Sequence, residues 1–433
     1  MTRIAIIGAG ISGLGCAHAL TRELGAEADI TVFEANDYIG GHTNTVDVTL
    51  DGFTHGVDTG FLVFNERTYP HLIALFEELD VRTALSEMSF SVRMDHHGME
   101  WAGTDLNAVF AQRRNLLRPS FLGMLSDIMR FNKLATELAL TGHDAQVLTS
   151  VGDFLDEHQF GPAFREWYFL PMVAAIWSCP EQQMMRFPMA TMIRFCHNHG
   201  LLQVNDRPRW FTVAGGAREY VKRIVKKLGR VHTGTPIRSI VRESHGVHVV
   251  TDHASQTFDE VVIAVHSDQA LAMLAQPSHA ERDVLGAISY QDNHAILHTD
   301  TSVLPKAERA WAAWNYHSIG SGQETSVGVH YLINRLQPVP FKTPVIVSLN
   351  SPVPPDPDKV LRHIHYAHPV FDARAMSAQD NLRDLQGRHR TWYCGAWTGY
   401  GFHEDGLKSG QNVAQGLIER YRATSRIPSP KAA

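Results

Sequence analysis

The chain contains 433 residues, of which 44% are hydrophobic and 19% are charged, and its 39 basic and 45 acidic residues give a formal net charge of −6. These proportions are ordinary for a globular protein and exclude wholesale disorder, a collagen-like chain and a coiled coil. No global excess of basic residues indicates a nucleic-acid partner. At roughly 100–200 residues per domain, the length predicts two or three domains.

Two further features bear on where the protein works. The longest apolar runs, such as residues 168–177, reach about half of the roughly 20 residues that a membrane-spanning helix needs. The four cysteines, at positions 16, 179, 196 and 394, form no C-x-x-C pair, which fits a reducing compartment without a disulfide framework. We therefore expect a cytoplasmic protein, and peripheral contact with the inner face of the membrane stays open.

The first 34 residues predict a strand, a helix and a second strand. Residues 3–7 form an apolar, β-branched run that is typical of a buried parallel strand, and residues 14–24 have a helical period. The second strand, residues 30–34, ends in an acid. This order is that of a dinucleotide-binding unit. The opening run also has the composition of a signal peptide, but the spacing of the glycines within it favours a retained segment.

The turn between the first strand and the helix carries the nucleotide motif. Gly8, Gly10 and Gly13 match GxGxxG, and Ser12 lies within it. In such a motif the first glycine permits a tight turn, the second lets the backbone approach a pyrophosphate, and the third lets the helix pack on the strand. Glu34, at the end of the second strand, can accept a hydrogen bond from a ribose hydroxyl. The motif therefore predicts bound NAD or FAD.

The residues after Glu34 bring a resemblance to a known family. The string EANDYIGGH (34–42) resembles the flavin-containing amine oxidase and phytoene desaturase superfamily, in which a Gly-Gly pair and usually Arg follow the acid; here His42 replaces the Arg. Residues 56–81 resemble the same family, in which this backbone passes the flavin. The resemblance implies FAD, held without a covalent bond. It implies cofactor contacts at Gly40, Gly41, His42, Thr59 and Gly60.

The resemblance continues to the far end of the chain. In the family, the segment matching residues 229–251 lies along the adenine, and the segment matching residues 391–421 ends with a helix that points at the flavin. We expect that helix to begin near Gly406. Family members often have an acid directly after the first glycine of this last segment, where this chain has Ala396, so Glu404 or Asp405 could substitute. The resemblance therefore adds cofactor contacts at Ile237, Gly395, Glu404, Asp405, Gly406 and Leu407.

These patterns together predict an α/β fold, namely a Rossmann-like FAD-binding domain of the amine-oxidase type with an inserted α+β substrate domain. A hairpin is expected over residues 89–101, with its turn near 95–98, and Ser267 and Asp268 are expected to cap a helix. The expected boundaries are 1–75, 205–275 and 388–425 for the FAD-binding domain, 76–204 and 276–387 for the substrate domain, and 426–433 for a flexible tail.

The substrate domain contains two informative segments. Residues 169–184 resemble the segment with which desaturases and protoporphyrinogen oxidases line their substrate cavity. Residues 110–135 combine arginines with Phe, Leu and Met, as a helix at a membrane surface does, and an amphipathic core helix with a solvated face is the alternative. The expected cavity residues are Phe169, Pro171, Ile176, Trp177, Trp314 and Tyr316. The expected membrane contacts are Arg113, Arg114 and Arg118.

No residue pattern identifies a catalytic group. His294, His317 and His403 are candidates for a base near the flavin, and a hydrogen-bonded structural role is the alternative for each. The H-x-H pairs lack a completing acid or cysteine pair, so no metal is expected. No convincing lysine stands where many amine oxidases hold a water at the flavin, which counts modestly against amine oxidation.

Several strings outside the flavin motifs bring a closer resemblance. Residues 334–337, 348–361, 368–373 and 399–410 are similar to bacterial predicted NAD/FAD-binding proteins related to the N-terminal flavoprotein domain of plant cyclopropane fatty acid synthases. This similarity implies lipid modification, and a lipid or another apolar small molecule as the ligand.

The expected function is an FAD-dependent oxidoreductase that removes hydride from an activated C–H bond of a lipid. The favoured reaction is desaturation or isomerisation of a fatty acyl chain on a phospholipid. A flavin amine oxidase is the first alternative. A non-catalytic flavoprotein partner of a lipid methyltransferase is the second.

Overall fold

The computed structural model describes residues 1–142, 149–177, 184–203, 207–321 and 325–425. The tail predicted over 426–433 lies outside the described residues. The strands are β1 (Thr2–Ile7), β2 (Ala28–Phe33), β3 (Thr45–Leu50), β4 (Phe53–Asp58), β5 (Phe64–Asn65), β6 (Thr83–Ser86), β7 (Phe90–Met94), β8 (Met99–Ala102), β9 (Trp210–Val213), β10 (Arg230–His232), β11 (Ser239–Arg242), β12 (Val247–Val250), β13 (Ser255–Phe258), β14 (Glu260–Ile263), β15 (Ser289–His298), β16 (Trp314–Ile319), β17 (Ser326–Leu332), β18 (Ile346–Leu349), β19 (Val360–Val370) and β20 (Thr391–Tyr393).

Helices lie between some of these strands, and the longest are α4 and α14. A π-helical segment, Arg165–Phe169, joins α6 to α7. The helices are α1 (Ile11–Leu24), α2 (Pro70–Glu78), α3 (Leu106–Val109), α4 (Pro119–Thr141), α5 (Val151–Glu157), α6 (Pro162–Phe164), α7 (Leu170–Trp177), α8 (Met189–Asn198), α9 (Arg218–Val225), α10 (Ser267–Met273), α11 (His279–Leu285), α12 (Ile333–Leu336), α13 (Ala373–Asn381) and α14 (His403–Ser425).

Five parallel strands form a sheet in the order β10-β2-β1-β14-β20, which we call the cofactor sheet. Its central strands are apolar along most of their length because layers cover both faces, and Ile6 and Val262 are fully buried. Helix α1 packs against α14. The carboxyl ends of β1, β2 and β14 therefore meet at one edge, where ligands of such sheets bind.

A second sheet of seven strands, the cap sheet, has the order β19-β15-β18-β17-β16-β7-β8. Only the β16–β7 pair in it is parallel. All of its strands fall in the two segments predicted for the substrate domain, and the strands of the cofactor sheet all fall in the three segments predicted for the FAD-binding domain. The domain boundaries themselves stay a prediction.

The segment from α4 to α8 forms a helical insert beside the cap sheet. Its core is rich in phenylalanine, and Phe131 contacts the rings of Phe160, Phe164 and Phe169. Within the described part of the chain, no helix is both long enough and apolar enough to span a bilayer.

The predicted α/β fold class is confirmed, and two local predictions are wrong. The predicted hairpin forms from β7 and β8, with its turn at residues 95–98. Helix α10 has His266 as its N-cap, one residue before the expected Ser267. The N–H of Ser267 donates to the Tyr290 hydroxyl, and the Asp268 carboxylate accepts the N–H of Gln269, each at 2.8 Å. Helix α14 begins at His403, about one turn before the expected Gly406, because the Asp405 carboxylate accepts the N–H groups of Tyr400 and Phe402.

Candidate active site

A cavity of about 1020 Å³ lies between the cofactor sheet, the cap sheet and the helical insert. This volume is at the upper end of the range for small-molecule sites and suits a large cofactor together with a substrate. We divide it into two halves by the segments that line it. The cofactor half is lined from residues 8–12, 34–42, 59–61, 264–269, 365–369 and 395–403. The substrate half is lined from residues 62–103, 168–176, 195–201, 207–210, 314–331 and 347–349.

Most of the residues predicted to bind the cofactor line this cavity. Those that do are Gly8, Gly10, Ser12, Glu34, Gly40, Gly41, His42, Thr59, Gly60 and Gly395. Those that lie outside its lining are Gly13, Ile237, Glu404, Asp405, Gly406 and Leu407.

The glycine motif has the geometry that a dinucleotide needs. A Cβ at Gly10 would meet no protein atom within 4 Å, so the space in front of the α1 N-terminus is open. A Cβ at Gly13 would lie 2.0 Å from the carbonyl oxygen of Gly8, which shows how closely helix and turn approach. Neither a side-chain cap nor an acid occupies the first turn of α1. Its free N–H groups and positive dipole end therefore face a space that fits a diphosphate.

Glu34 is fixed at the end of β2 by two backbone donors. Its carboxylate accepts the N–H of Ala9 at 2.8 Å and the N–H of Asn36 at 2.9 Å, and only 7% of the residue is exposed. The oxygen that accepts the Asn36 N–H also accepts the Asn36 side-chain amide at 3.1 Å, so the remaining acceptor capacity is on the oxygen that bonds to Ala9. A ribose hydroxyl in the cavity could use that capacity.

His42 is buried beside the Gly-Gly turn, and among the described residues its Nε2 has no hydrogen-bond partner. Burial, with a smaller contribution from His368 and His266, holds the pKa of the ring well below its usual range, so the ring is neutral. It stacks on Tyr366 with the ring centres 4.7 Å apart. His42 lines the cavity, so a diphosphate bound there could supply the partner that this buried nitrogen lacks.

Residues 401–403, at the start of α14, line the cavity. The two acids that follow, Glu404 and Asp405, instead accept hydrogen bonds from backbone N–H groups. Glu404 accepts the N–H groups of His71 and Leu72 at 2.7 and 3.0 Å and so caps α2. Asp405 holds the turn before its own helix. Because the helix begins one turn early, the two acids lie beyond its first residue and away from the cavity. Gly406 and Leu407 are likewise internal, and Leu407 is fully buried.

Ile237 and Gly13 also lie away from the cavity wall. Ile237 is buried in the core beside β11. Gly13 shapes the motif through the close approach described above rather than through contact with the cavity. Cys394, which directly follows β20, is fully buried in the core and does not line the cavity.

The substrate half has an apolar and aromatic wall. Ile176 and Trp314 line it. Phe169 and Tyr316 instead point into separate cores, and Pro171 is buried outside the wall. Trp177 ends α7, and its side chain lies outside the described part of the structure. The wall is completed by residues that the sequence did not single out, including Met172, Phe195, Leu201, Trp210 and Tyr331.

Of the three histidines considered as bases, the structure brings only His403 to the cavity. Its ring stacks on Phe61 at 3.9 Å, its Nε2 lies 2.8 Å from the Tyr220 hydroxyl, and burial lowers its pKa to about 3. His294 stacks with His363 and His365 on the outer part of β15 and β19 and does not line the cavity.

His317 belongs to a buried polar chain in the cap sheet instead of the cavity. Its Nε2 lies 3.3 Å from the Asp95 carboxylate, and its Nδ1 lies 3.4 Å from Nε2 of His330. The Ser348 hydroxyl then links His330 to His298, at 2.6 Å from each ring. Both ring nitrogens of His317 therefore already have partners outside the cavity.

Four other histidines reach the cavity, and sequence reasoning missed them as site residues. They are His199, His266, His365 and His368. Nδ1 of His199 must donate to the carbonyl oxygen of Phe195, 3.0 Å away, because a carbonyl only accepts; Nε2 is therefore left as an acceptor. Burial lowers the pKa of His199 to about 4, so this ring is neutral near pH 7.

Two of the three arginines predicted to meet a membrane are exposed. Arg113 and Arg114 lie on the surface before α4, next to Leu116 and Leu117, which are 48% and 89% exposed. Arg118 is half-buried, with its guanidinium over the ring of Trp167 at 4.6 Å. The segment is thus an exposed apolar and basic edge, with one arginine packed behind it.

One group of potential metal ligands occurs outside the cavity, on the exposed turn between β11 and β12. Ligand atoms of Glu243, His245 and His248 lie within 4.8 Å of one another. Among the described residues no comparable group lines the cavity.

Comparison with known proteins places the fold and the site in a family. The family model for flavin-containing amine oxidoreductases matches residues 11–315. AofH of Mycobacterium tuberculosis, which carries the name of a flavin-containing monoamine oxidase, is 25% identical over 288 residues; the match covers 63% of this chain and 59% of AofH. The match thus spans less than two thirds of the length of that relative.

Solved structures of several activities share the whole fold. The CLA-producing fatty acid isomerase from P. acnes has a TM-score of 0.68 at 17% identity, over 97% of this chain and 98% of that one. Cyclohexylamine oxidase from Brevibacterium oxydans IH-35A has a TM-score of 0.69 at 17% identity, over 97% and 99%. The chain belongs to the flavin-containing amine oxidoreductase family, and its cofactor is FAD.

Proposed function

We propose that this protein is an FAD-dependent oxidoreductase that acts on the acyl chain of a lipid, at an allylic or otherwise activated C–H bond, in a desaturation or an isomerisation. The observation that carries the proposal is the wall of the substrate half. Among the described residues that line the whole cavity, the acids are Glu34, which holds the cofactor half, and Asp292, which lies on β15. Apart from Ser86, Ser89, His199, Arg207 and Arg209, the substrate half presents aliphatic, thioether and aromatic groups, as a long hydrocarbon chain requires.

Bound FAD supplies acceptance of a hydride from carbon. The chain's own residues do the rest. The loops of the cofactor half bind and orient the nucleotide. The aromatic wall, including Trp314 and Tyr331, whose ring centres lie 4.9 Å apart, orients the hydrocarbon and excludes water from the reacting carbon.

His199 can hold a proton during desaturation. Formation of a C=C bond removes a hydride from one carbon and a proton from its neighbour, so a group that accepts the proton is needed. Nε2 of His199 is an acceptor because Nδ1 is committed to the Phe195 carbonyl. The neutral ring lies in the wall with Phe402, 5.3 Å away between ring centres. An isomerisation, which returns the hydride, does not need this step.

A flavin amine oxidase is the second candidate, favoured by the aromatic wall and by the names of AofH and cyclohexylamine oxidase. An amine could lie between aromatic rings. No lysine of the described chain lines the cavity.

Anaerobic reduction of the purified holoprotein separates these candidates. Bleaching of the visible flavin band by unsaturated lipids, but not by a panel of primary and secondary amines, is the result expected of a desaturase. A lipid recovered with a shifted double bond, without lasting bleaching, is the result expected of an isomerase. Bleaching by amines alone would establish amine oxidation. If neither class reduces the flavin, the lipid is recovered unchanged and the protein co-purifies with a lipid methyltransferase, the non-catalytic partner role is the better description.

We further propose peripheral contact with an anionic membrane through the edge before α4. Arg113 and Arg114 would lie at phosphate depth, and Leu116 and Leu117 would enter the acyl boundary. The exposure of both leucines supports this arrangement.

A further inference from the structure

Two arginines stand at one mouth of the substrate half. Arg207 and Arg209 both line the cavity and are both exposed. They directly precede Trp210, the first residue of β9 and part of the apolar wall. Strand β6 pairs with β9 and brings Leu85, which is 69% exposed, to the same mouth. We call Arg207 and Arg209 the arginine rim.

The two arginines differ in whether the guanidinium already pairs with a carboxylate. Arg209 forms an ion pair with Glu66 at 2.7 Å, and both side chains are more than half exposed. Arg207 donates from Nε to the carbonyl oxygen of Gln203 at 2.8 Å, and among the described residues it pairs with no carboxylate. Its terminal N–H groups are therefore free to bind an anion. A guanidinium binds a carboxylate or a phosphate through two parallel hydrogen bonds, which suits this position.

Beyond the rim the wall turns apolar at once. Leu201, Phe195 and Met172 line the cavity behind the arginines. A ligand that enters here meets positive charge first and hydrocarbon afterwards. An amine would meet repulsion at the same mouth.

We infer that the substrate is an amphiphile with an anionic head, which is held at Arg207 with support from Arg209, while its hydrocarbon chain lies in the substrate half. This inference rests on the proposed function and names the substrate class more closely. The head is the carboxylate of a free fatty acid or the phosphate of a phospholipid, since both present the same pair of acceptor oxygens to a guanidinium.

Binding to the FAD-loaded protein tests this inference, followed through the change that a ligand causes in the visible flavin spectrum. The probes are an unsaturated 18-carbon fatty acid, its primary alcohol, the amine of the same chain, and the lysophospholipid that carries the same chain. The variants are Arg207→Gln, Arg207→Lys and Arg209→Gln. Arg383→Gln is the matched control, because Arg383 is highly exposed and does not line the cavity.

An anionic ligand should bind about ten-fold more tightly than the alcohol, which corresponds to about one charge-assisted hydrogen-bonded pair. R207Q should remove that ratio and leave alcohol binding unchanged. R207K should keep part of it, R209Q should lower it less because Glu66 already shares that charge, and R383Q should leave it intact. Comparison of the fatty acid with the lysophospholipid then identifies which head the rim prefers.

An alcohol that binds as tightly as both anions, or an acid-to-alcohol ratio unchanged in R207Q, would overturn the rim assignment. In that case reduction of the flavin by lipid would still support the proposed function. If none of the lipids binds or reduces the flavin while amines do, both proposals fail together.

Discussion

The two halves of the cavity are built in different ways. The cofactor half is lined largely by turns that follow consecutive elements of one sheet, and its fit depends on backbone and on missing side chains, as at Gly10. The substrate half is assembled from side chains of the cap sheet, the helical insert and β9, which are far apart in the chain. A local motif can therefore specify the first half, whereas only tertiary packing specifies the second. The predictions below test this contrast.

Gly13→Ala should have the largest effect, because it attacks the backbone contact on which the cofactor half is built. The new Cβ would lie 2.0 Å from the Gly8 carbonyl oxygen, so helix α1 would have to move off β1. We expect little folded protein and no bound FAD. Soluble yield and thermal unfolding are the measurements. A stable yellow variant would show that the close approach is not required.

Gly10→Ala should separate cofactor binding from folding. Gly10 has φ −75°, which alanine adopts freely, and its Cβ would meet no protein atom. We expect an unchanged melting temperature and an affinity for FAD that is lower by about 100-fold, since the methyl group would occupy the space of the diphosphate. Titration of the apoprotein with FAD measures this. Unaltered affinity would mean that the open space serves something else.

Stability should depend on pH through the buried histidines of the cap sheet. Burial lowers the pKa of His298 to about 4 and holds that of His330 well below its usual range, so both rings fold in the neutral form. The unfolded chain takes up these protons below pH 6.5, so this stability is complete above about pH 7 and is lost as the pH falls towards 4. For His298 alone the loss at pH 5 is about 2 kcal/mol.

Chemical denaturation at pH 7.5 and pH 5, with His298→Asn as the comparison, checks this expectation. The variant keeps a side-chain acceptor where Nδ1 receives the N–H of Asp300, and it removes the titrating ring. Its stability should therefore change less between the two pH values than that of the natural chain. An equal change in both proteins would place the acid sensitivity elsewhere.

Substitutions at the exposed edge before α4 should change the free energy of membrane binding, and not that of unfolding, by a similar amount. Replacing Arg113 and Arg114 together by Gln should weaken binding to anionic liposomes by about 25-fold, at about 1 kcal/mol for each arginine near the surface. Arg118→Gln should contribute less to liposome binding, because its guanidinium packs on Trp167. Sedimentation with liposomes is the measurement, and the visible flavin spectrum is the control. Liposome binding that the double variant leaves unchanged would favour an ordinary solvated face.

The sequence was sufficient for the fold class and for most of the cofactor half. Gly8, Gly10 and Glu34 could be placed because strand, turn and helix are adjacent in the chain. The error at Glu404 and Asp405 came from a helix start displaced by about one turn, which depends on a side-chain contact of Asp405 within a loop. Loop contacts of this kind leave no periodic pattern.

The histidines of strand β19 show the same limit. A period of two along β19 predicts that His363 and His365 share a face, but it does not show that His365 and His368 reach the cavity. Their position depends on the pairing of β19 with β15, two strands separated by about sixty residues. The order of strands in the cap sheet is not visible in local sequence, so His294 was expected near the flavin and lies away from it.

Glu34→Gln should give the smallest effect, because it removes a charge from the cofactor half without changing its shape. The amide keeps one oxygen for the N–H of Ala9 or of Asn36 and loses the second acceptor, so the ribose hydroxyl competes with the backbone for what remains. We expect about ten-fold weaker binding of FAD to the apoprotein, with the fold preserved. Glu66→Gln, at the exposed ion pair of the arginine rim, is the matched control and should leave FAD affinity unchanged. If both variants bind FAD like the natural chain, Glu34 serves the turn rather than the ribose, and the cofactor half would then be specified by its backbone alone.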